Sequence, residues 1–381
     1  KAIIIGGGIG GLCTAIGLRQ AGWQVAVYEK AAMLGDVGAG LVLWANAIRA
    51  LRALGLADAA VAAGSKIQRG QIRSSSGKVL VDYAAGELEL TFGEASIAIH
   101  RAALHRVLLS ALPADCLHLD AVCTGFEQTA DGVSARFEDG SAAQADLLVG
   151  ADGIRSVIRR QLFPQRRLRY SGYIAWRGVV LTSDEVALGV SGETMGRGAR
   201  FGSLRLDRER IYWYATRNHA AGLTLLPVQR KNFLLEKLGG WHHPVELLIQ
   251  STAPEDILQN DIYDLEPSQQ WGEGRVTLLG DAIHATTPNM GQGACMAVES
   301  AVMLQRCLQA ETSIPAALRA YETRRMARTA WITNQSWQIG RMGQIENGLM
   351  CGLRDLTLAL LPDDLFKNQT GKAIGYDINK F

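Results

Sequence analysis

The chain opens with a switch between two hydrophobic patterns. Ala2–Ile5 is a short, wholly apolar run that ends in glycines. Ile9, Leu12, Cys13, Ile16 and Leu18 then recur at helical spacing up to Gly22, and Gln24–Tyr28 is apolar again. A continuous apolar run suits a strand buried on both faces, whereas a period near 3.6 suits a helix. The pattern predicts a strand, a tight turn, a helix closed by Gly22, and a second strand, which is a βαβ unit.

Further along, residues 45–63 read as helical and residues 67–99 as short alternating strands around turns such as Ser76-Gly77. Arg101–Leu112 is an amphipathic helix stopped by Pro113. Strand-like stretches follow at 121–128, 132–137 and 144–149, separated by Asp131-Gly132 and Asp139-Gly140, both hairpin signals. Residues 168–217 are rich in β-branched and aromatic residues and predict a second sheet, followed by helices near 228–238 and 244–251. Arg275–Leu279 predicts another buried strand, and residues 291–348 are helical with a break near Ser313–Pro315. The expected class is α/β, with nucleotide-type elements at 1–75, 95–165 and 270–310. A substrate sheet covers 76–94 and 168–265, and a C-terminal helical region covers 311–381.

Composition narrows the function classes. Hydrophobic residues make up 48% and charged residues 20% of the 381 residues, an ordinary globular balance. A formal net charge of +2 gives no electrostatic support for a nucleic-acid partner. No C-x-x-C pair or Cys/His cluster has metal-site spacing, so no metal is expected and the cysteines read as reduced thiols of a cytoplasmic protein. No signal peptide or transmembrane run is visible; Leu356–Leu361 is far shorter than a bilayer requires.

The chemistry lies in three glycine-containing turns. Gly6, Gly8 and Gly11 form G-x-G-x-x-G between a strand and a helix. The glycines allow the turn, the approach of a pyrophosphate, and close helix–strand packing, with the helix N-terminus facing the phosphates. Glu29, followed by Lys30, closes the second strand, where a carboxylate can accept from a ribose diol. The second turn is Gly150-Ala151-Asp152-Gly153; taken alone it is equally a turn capped by Asp152. The third is Leu279-Gly280-Asp281, leading through Pro288 to Gly291-Gln292-Gly293 at the start of a helix. Free N–H groups there can stabilise negative charge.

These motifs, in this order and at about these separations, resemble the FAD-dependent aromatic hydroxylases, single-component flavoprotein monooxygenases of the para-hydroxybenzoate hydroxylase fold. The likeness covers residues 1 to about 330 and is nearest the urate, 3-hydroxybenzoate and salicylate hydroxylase branch. It implies a Rossmann-like FAD-binding domain interrupted by a β-sheet substrate domain. It also implies that Gly6, Gly8, Gly11, Glu29 and Lys30 hold the ADP half of FAD, Arg101 the flavin, and Val122 the adenine. Asp152 and Gly153 would lie by the pyrophosphate and nicotinamide, Asp281 on the ribityl chain, and Pro288 against the reactive ring edge. Gly291, Gln292 and Gly293 would direct N–H groups at N1 and the C2 carbonyl.

The reaction so implied uses NADPH or NADH as a transient co-substrate and O2. It hydroxylates an aromatic or similarly planar molecule through a flavin C4a-hydroperoxide. No second G-x-G-x-x-G is present for a resident nicotinamide domain. The residues leave open epoxidation, N-hydroxylation, dehydrogenation, or a non-catalytic flavin-binding role. The W-x-W-x-I-P signature of flavin halogenases is absent.

Two positions depart from the pattern. Asn289 stands where some urate-type members carry a carboxylate, and Cys295 where Asn is frequent. Arg200 lies where related hydroxylases can have a substrate-side arginine, though a surface arginine is the alternative. Tyr212 and Tyr214 share one strand face and can line an aromatic pocket or pack a sheet. Trp176-Arg177 reads as structural, His284 as a structural histidine, and Arg159-Arg160 with Arg166, Arg167 and Arg169 as a solvated face or a phosphate attractor. Oligomeric state is not readable.

Overall fold

The computed structural model describes residues 1–34, 39–181, 185–362 and 370–380. The expected 311–381 helical region therefore extends over residues 363–369 and 381, which lie outside the described residues.

The first strand, Ala2–Ile5, is completely buried and lies parallel between Val25–Tyr28 and Leu147–Gly150. Its uniform apolarity follows from that central place, since both faces are covered. The six-stranded sheet runs Gly272–Glu273, Val276–Leu278, Leu147–Gly150, Ala2–Ile5, Val25–Tyr28, Leu117–His118, so three distant stretches of chain meet in it. All of its pairings are parallel except the edge hairpin at Gly272–Glu273. Helix Ile9–Gln20 is buried along most of its length, packed between this sheet and helix Gly293–Ala310. The strands Cys123–Gln128, Val133–Phe137 and Ala142–Ala145 form an antiparallel meander, as the two Asp-Gly turns predict.

The second sheet has seven strands in the order Leu258–Asp264, Arg169–Leu181, Arg210–Asn218, Ala199–Arg205, Val190–Met195, Arg69–Ser74, Val79–Tyr83. Alternation along these strands separates two environments. One face carries Ile174, Trp176, Phe201, Ile211 and Trp213, packed with residues of helices Pro227–Leu238 and Val245–Ser251. Trp213 donates to Thr252 Oγ1 at 2.8 Å, and its indole fills the space that a side chain at Gly178 would need. The opposite face carries Tyr173, Glu193, Arg200, Tyr212 and Tyr214.

Two local differences from the sequence pattern have physical causes. Arg69–Ser74, placed by the pattern with segment 1–75, pairs with Val190–Met195 of the second sheet; a strand's sequence does not name its partner. Residues 85–92, inside the stretch read as strands, form helix Ala85–Phe92. Its Ala, Glu and Leu residues favour helix locally. The break at Ser313–Pro315 appears as a helix start: Ser313 caps Ile314–Gly343 and Pro315 occupies its first turn.

A buried ionic cluster fixes three helices. Glu299 of Gly293–Ala310 accepts from Arg325 at 2.6 Å and from Arg328 at 3.2 Å, both on Ile314–Gly343. It also accepts from Asn46 of helix Ala45–Ala53 at 2.6 Å. Burial alone would raise the Glu299 pKa, but the two guanidiniums outweigh it and hold the carboxyl below its usual range. Glu299→Ala is expected to cost about 3–5 kcal/mol, because it leaves Arg325 buried and unpaired. The depressed carboxyl makes this contribution complete above the unfolded value of about 4.3 and lost as pH falls through the folded one. Denaturant unfolding across pH should show the gap between wild type and variant closing below about pH 4. A loss under about 1 kcal/mol at pH 7 would refute the role.

Candidate functional site

The glycine turn is built from backbone packed on backbone. Gly6 has φ +109°, and a Cβ there would lie 2.3 Å from the Ala151 carbonyl oxygen. A Cβ on Gly11 would lie 1.9 Å from the Gly6 carbonyl oxygen. Gly8 differs: its backbone is ordinary, φ −74° and ψ 178°, and a Cβ would meet nothing within 4 Å. Two glycines thus serve the fold, and the third faces open space at a helix N-terminus. The same packing brings Ala151-Asp152-Gly153 against the first turn, although they are far apart in sequence.

Glu29 is partly buried and accepts from the N–H groups of Gly7 at 2.7 Å and Ala31 at 3.0 Å. A carboxylate has about four acceptor positions, so capacity remains for a diol. Lys30 is exposed. Val122 is brought beside this strand end because Ala121 donates to the Glu29 carbonyl at 2.9 Å; the Val122 carbonyl accepts from Glu138. Ser156 caps helix Val157–Leu162 through the Arg159 N–H at 2.9 Å, Asp152 accepts from the Val157 N–H at 2.6 Å, and Gly153 has φ +76° with open space around it. Asp152 supports the helix start, but the cap itself is Ser156.

Arg101 is exposed at the start of helix Arg101–Ser110. Asp281 follows Gly280, whose φ is +65°, and begins the short helix Asp281–His284. Solvent reaches its carboxylate, yet surrounding protein raises its pKa by desolvation, opposed by Arg101. His284 is buried and neutral, its pKa pushed down to about 3 by burial and Arg325, and its Nε2 accepts from the Gly280 N–H at 3.2 Å.

Pro288 is exposed and opens the turn Pro288–Met290. Trp44 donates to the Met290 carbonyl at 3.1 Å and lies against Gly291, whose φ is +61°. One expected donor is corrected: the Gly291 N–H is taken by the Pro288 carbonyl at 3.0 Å. That leaves Gln292 and Gly293 at the N-terminus of helix Gly293–Ala310, where first-turn N–H groups have no intrahelical acceptor. The Gln292 side chain is fixed by Asn46 at 2.9 Å.

Asn289 joins this loop to the second sheet. Its Oδ1 accepts from Arg200 Nη2 and from the Tyr173 hydroxyl at 3.2 Å. Its Nδ2 donates to Thr287 Oγ1 and to the Ser336 carbonyl, both at 2.8 Å. Arg200 is buried, which removes the surface alternative; it donates to Glu193 at 3.1 Å. Tyr214 lies over Gly202, where a Cβ would be 2.2 Å from its ring, and burial with Glu193 nearby raises its hydroxyl pKa well above the usual value. Trp176 belongs to the core. Of the basic run, Arg159 is buried against the Ala282 carbonyl, so the solvated-face reading fails for it, while the partly exposed Arg169 pairs with Asp264. Glu193, Tyr173 and Trp44 were not singled out by sequence. Strand alternation could have flagged the first two; nothing local marks Trp44.

The chain matches the FAD binding domain family over residues 1–336. It belongs to the FAD-dependent monooxygenases. It is 40% identical over 374 residues to aurachin C monooxygenase/isomerase of Stigmatella aurantiaca, covering 98% of this chain and 97% of that one. It is 36% identical over 333 residues to an FAD-dependent urate hydroxylase of Klebsiella pneumoniae, covering 86% of each. The crystal structure of Klebsiella pneumoniae HpxO complexed with FAD and uric acid superposes with TM-score 0.92 at 31% identity, over 98% of this chain and 96% of that one. FAD is the cofactor of this flavoprotein, and the open space at Gly8 and the exposed Asp281 at the end of a parallel strand fit it.

The glycines give a discriminating test. Gly8→Val is expected to fold with a stability within about 1 kcal/mol of wild type but to purify without flavin. Gly11→Ala must displace the Gly6 carbonyl and should lose stability. Thermal unfolding and flavin absorbance separate the two effects; full flavin content in Gly8→Val would refute the role of that open space.

Proposed function

We propose that this flavoprotein uses NADPH or NADH and O2 to hydroxylate an aromatic or similarly planar small molecule. The observation that carries the reading is the Asn289 junction, which ties the loop beginning at Pro288 to Arg200 and Tyr173 of the second sheet. When bound, FAD accepts electrons from the nicotinamide and activates O2 for transfer of one oxygen atom. Gly8, Glu29 and Lys30 would hold its ADP half at the turn that Gly6 and Gly11 shape, with Val122 beside the adenine. Asp152 and Gly153 border the pyrophosphate, and Arg101 and Asp281 bind the ribityl and flavin portion. Pro288, exposed at the start of its turn, would lie by the reactive edge. Gln292 and Gly293, at the helix N-terminus, would direct their N–H groups at negative charge on the ring, with Gly291 shaping the turn. Arg200 and Tyr214 stand on the substrate side.

Asn289 in place of a carboxylate argues for a substrate other than urate. A second reading is oxygen insertion followed by isomerisation, favoured by the name of the relative at 40% identity; product structure separates the two.

Asp281→Ala should weaken flavin retention roughly ten- to a hundredfold, the loss of a charge-assisted hydrogen bond of about 1.5–3 kcal/mol. Asp115→Ala, an exposed carboxylate elsewhere, should not. Equal flavin content in the two variants would remove Asp281 from the site.

The reaction itself is tested by coupling. Without substrate, NAD(P)H oxidation should be slow and release hydrogen peroxide, because an open, wet site loses activated oxygen before transfer. With substrate it should accelerate, and product should approach one per nicotinamide. Labelled O2 should leave one labelled atom in the product. Oxygen derived from water, or a product that has only lost hydrogen, would reject oxygen insertion.

A further inference from the structure

We propose that Glu193 sets the substrate class, selecting a neutral planar ring that offers an N–H or O–H donor and rejecting ring carboxylates. The inference rests on the monooxygenase reading above and refines its substrate.

The argument begins with sheet register. Glu193 lies opposite Gly202, Gly202 lies opposite Tyr214, and Arg200 lies opposite Met195, so Glu193, Arg200 and Tyr214 share one face. That face turns toward the Asn289 loop, and Tyr83, Val42 and Leu204 add apolar surface beside Tyr214. An anionic substrate needs donors here. Arg200 is badly placed to supply them: its side chain is 3% exposed, its two Nη atoms bond Glu193 and Asn289, and its Nε is buried against Gly343. Asn289 cannot supply them, since both amide hydrogens are taken by Thr287 and the Ser336 carbonyl. The amide orientation is dictated by its partners, because a guanidinium only donates and a carbonyl only accepts.

The Tyr214 hydroxyl is directed at Glu193 as well, so it is not free for an anion, and the carboxylate keeps acceptor capacity beyond Arg200 and Tyr214. Glu193 is 23% exposed against 3% for its arginine. A carboxylate can only accept hydrogen bonds and repels like charge. The pair therefore neutralises the arginine inside and presents acceptors outside. This inverts the polarity expected if Arg200 met the substrate directly.

The test uses three probes of one ring: 4-quinolone, its N-methyl derivative, and 4-quinolone-2-carboxylate. Binding to the FAD-loaded enzyme is read by perturbation of the flavin spectrum. Wild type should bind 4-quinolone about tenfold more tightly than either of the others, since each loses the donor or adds repulsion. Glu193→Gln leaves Arg200 uncompensated, so the carboxylate probe should bind about tenfold more tightly to this variant than to wild type. A misfolded protein cannot produce that gain. Wild type preferring the carboxylate, an unchanged preference order in Glu193→Gln, or no spectral response to any probe would each overturn the proposal. Protein that holds no FAD, or oxidises NAD(P)H with no compound tried, would fail the parent reading and take this one with it. A flavin-loaded, turning-over enzyme that favours carboxylates would fail this one alone.

Discussion

The structure depends on one constraint: three stretches of backbone must touch without side chains between them. Gly11 lies on the Gly6 carbonyl, and Gly6 lies on the Ala151 carbonyl. This column seats helix Ile9–Gln20 against the central strand and draws the Asp152-Gly153 turn to the same edge. Any Cβ in the column would push helix and strand apart and redirect the N–H groups at the helix start. The parallel sheet supplies the other half of the constraint. Its strands come from three distant parts of the chain, so their C-terminal ends gather Glu29, Asp152 and Asp281 along one edge.

The second sheet meets that edge through an apolar cluster of Leu204, Leu206 and Tyr212 with Val42 and Ala98, and through the polar Asn289 junction. Its packed face is satisfied by Trp176, Trp213 and the two covering helices. Its other face carries a buried arginine, which is costly unless fully paired. Arg200 finds Glu193 on the neighbouring strand and Asn289 on the flavin-side loop, and Asn289 in turn binds helix Ile314–Gly343 through Ser336. A shifted docking of sheet against loop would break a pairing that no solvent could replace. The junction therefore specifies relative position.

Much of this was legible in the chain. Ala2–Ile5, Ile9–Gln20 and Val25–Tyr28 follow from periodicity, and the three glycine turns announce a bound nucleotide. The Asp-Gly turns gave the meander. What could not be read were relations between distant residues. Arg69–Ser74 carries no mark of its partner strand. Arg200 looks like any strand arginine until Glu193 and Asn289 are brought to it. Trp44 matters only because Met290 and Gly291 fold back onto it. The Gly291 N–H was expected as a donor, and its loss to Pro288 follows from a tight turn that the sequence Pro-Asn-Met-Gly permits without requiring. The readable part is local pattern and motif; the unreadable part is which charges end up buried together.

The two buried arginine clusters connect in a way that bears on the flavin edge. Glu299 holds Arg325 and Arg328 and also Asn46; Asn46 holds Gln292 at the start of helix Gly293–Ala310. Asn289, three residues earlier, is held by Arg200 and Ser336. The loop between them is thus anchored at both ends, each time through a neutral amide whose other partner is an ion pair. An amide in that place transmits position without adding charge. Negative charge brought to the Gln292 and Gly293 N–H groups would meet a fixed dipole and no carboxylate in the loop itself. A carboxylate at position 289 would add repulsion there, while Asn289 keeps the loop neutral and Glu193 is reached only through Arg200.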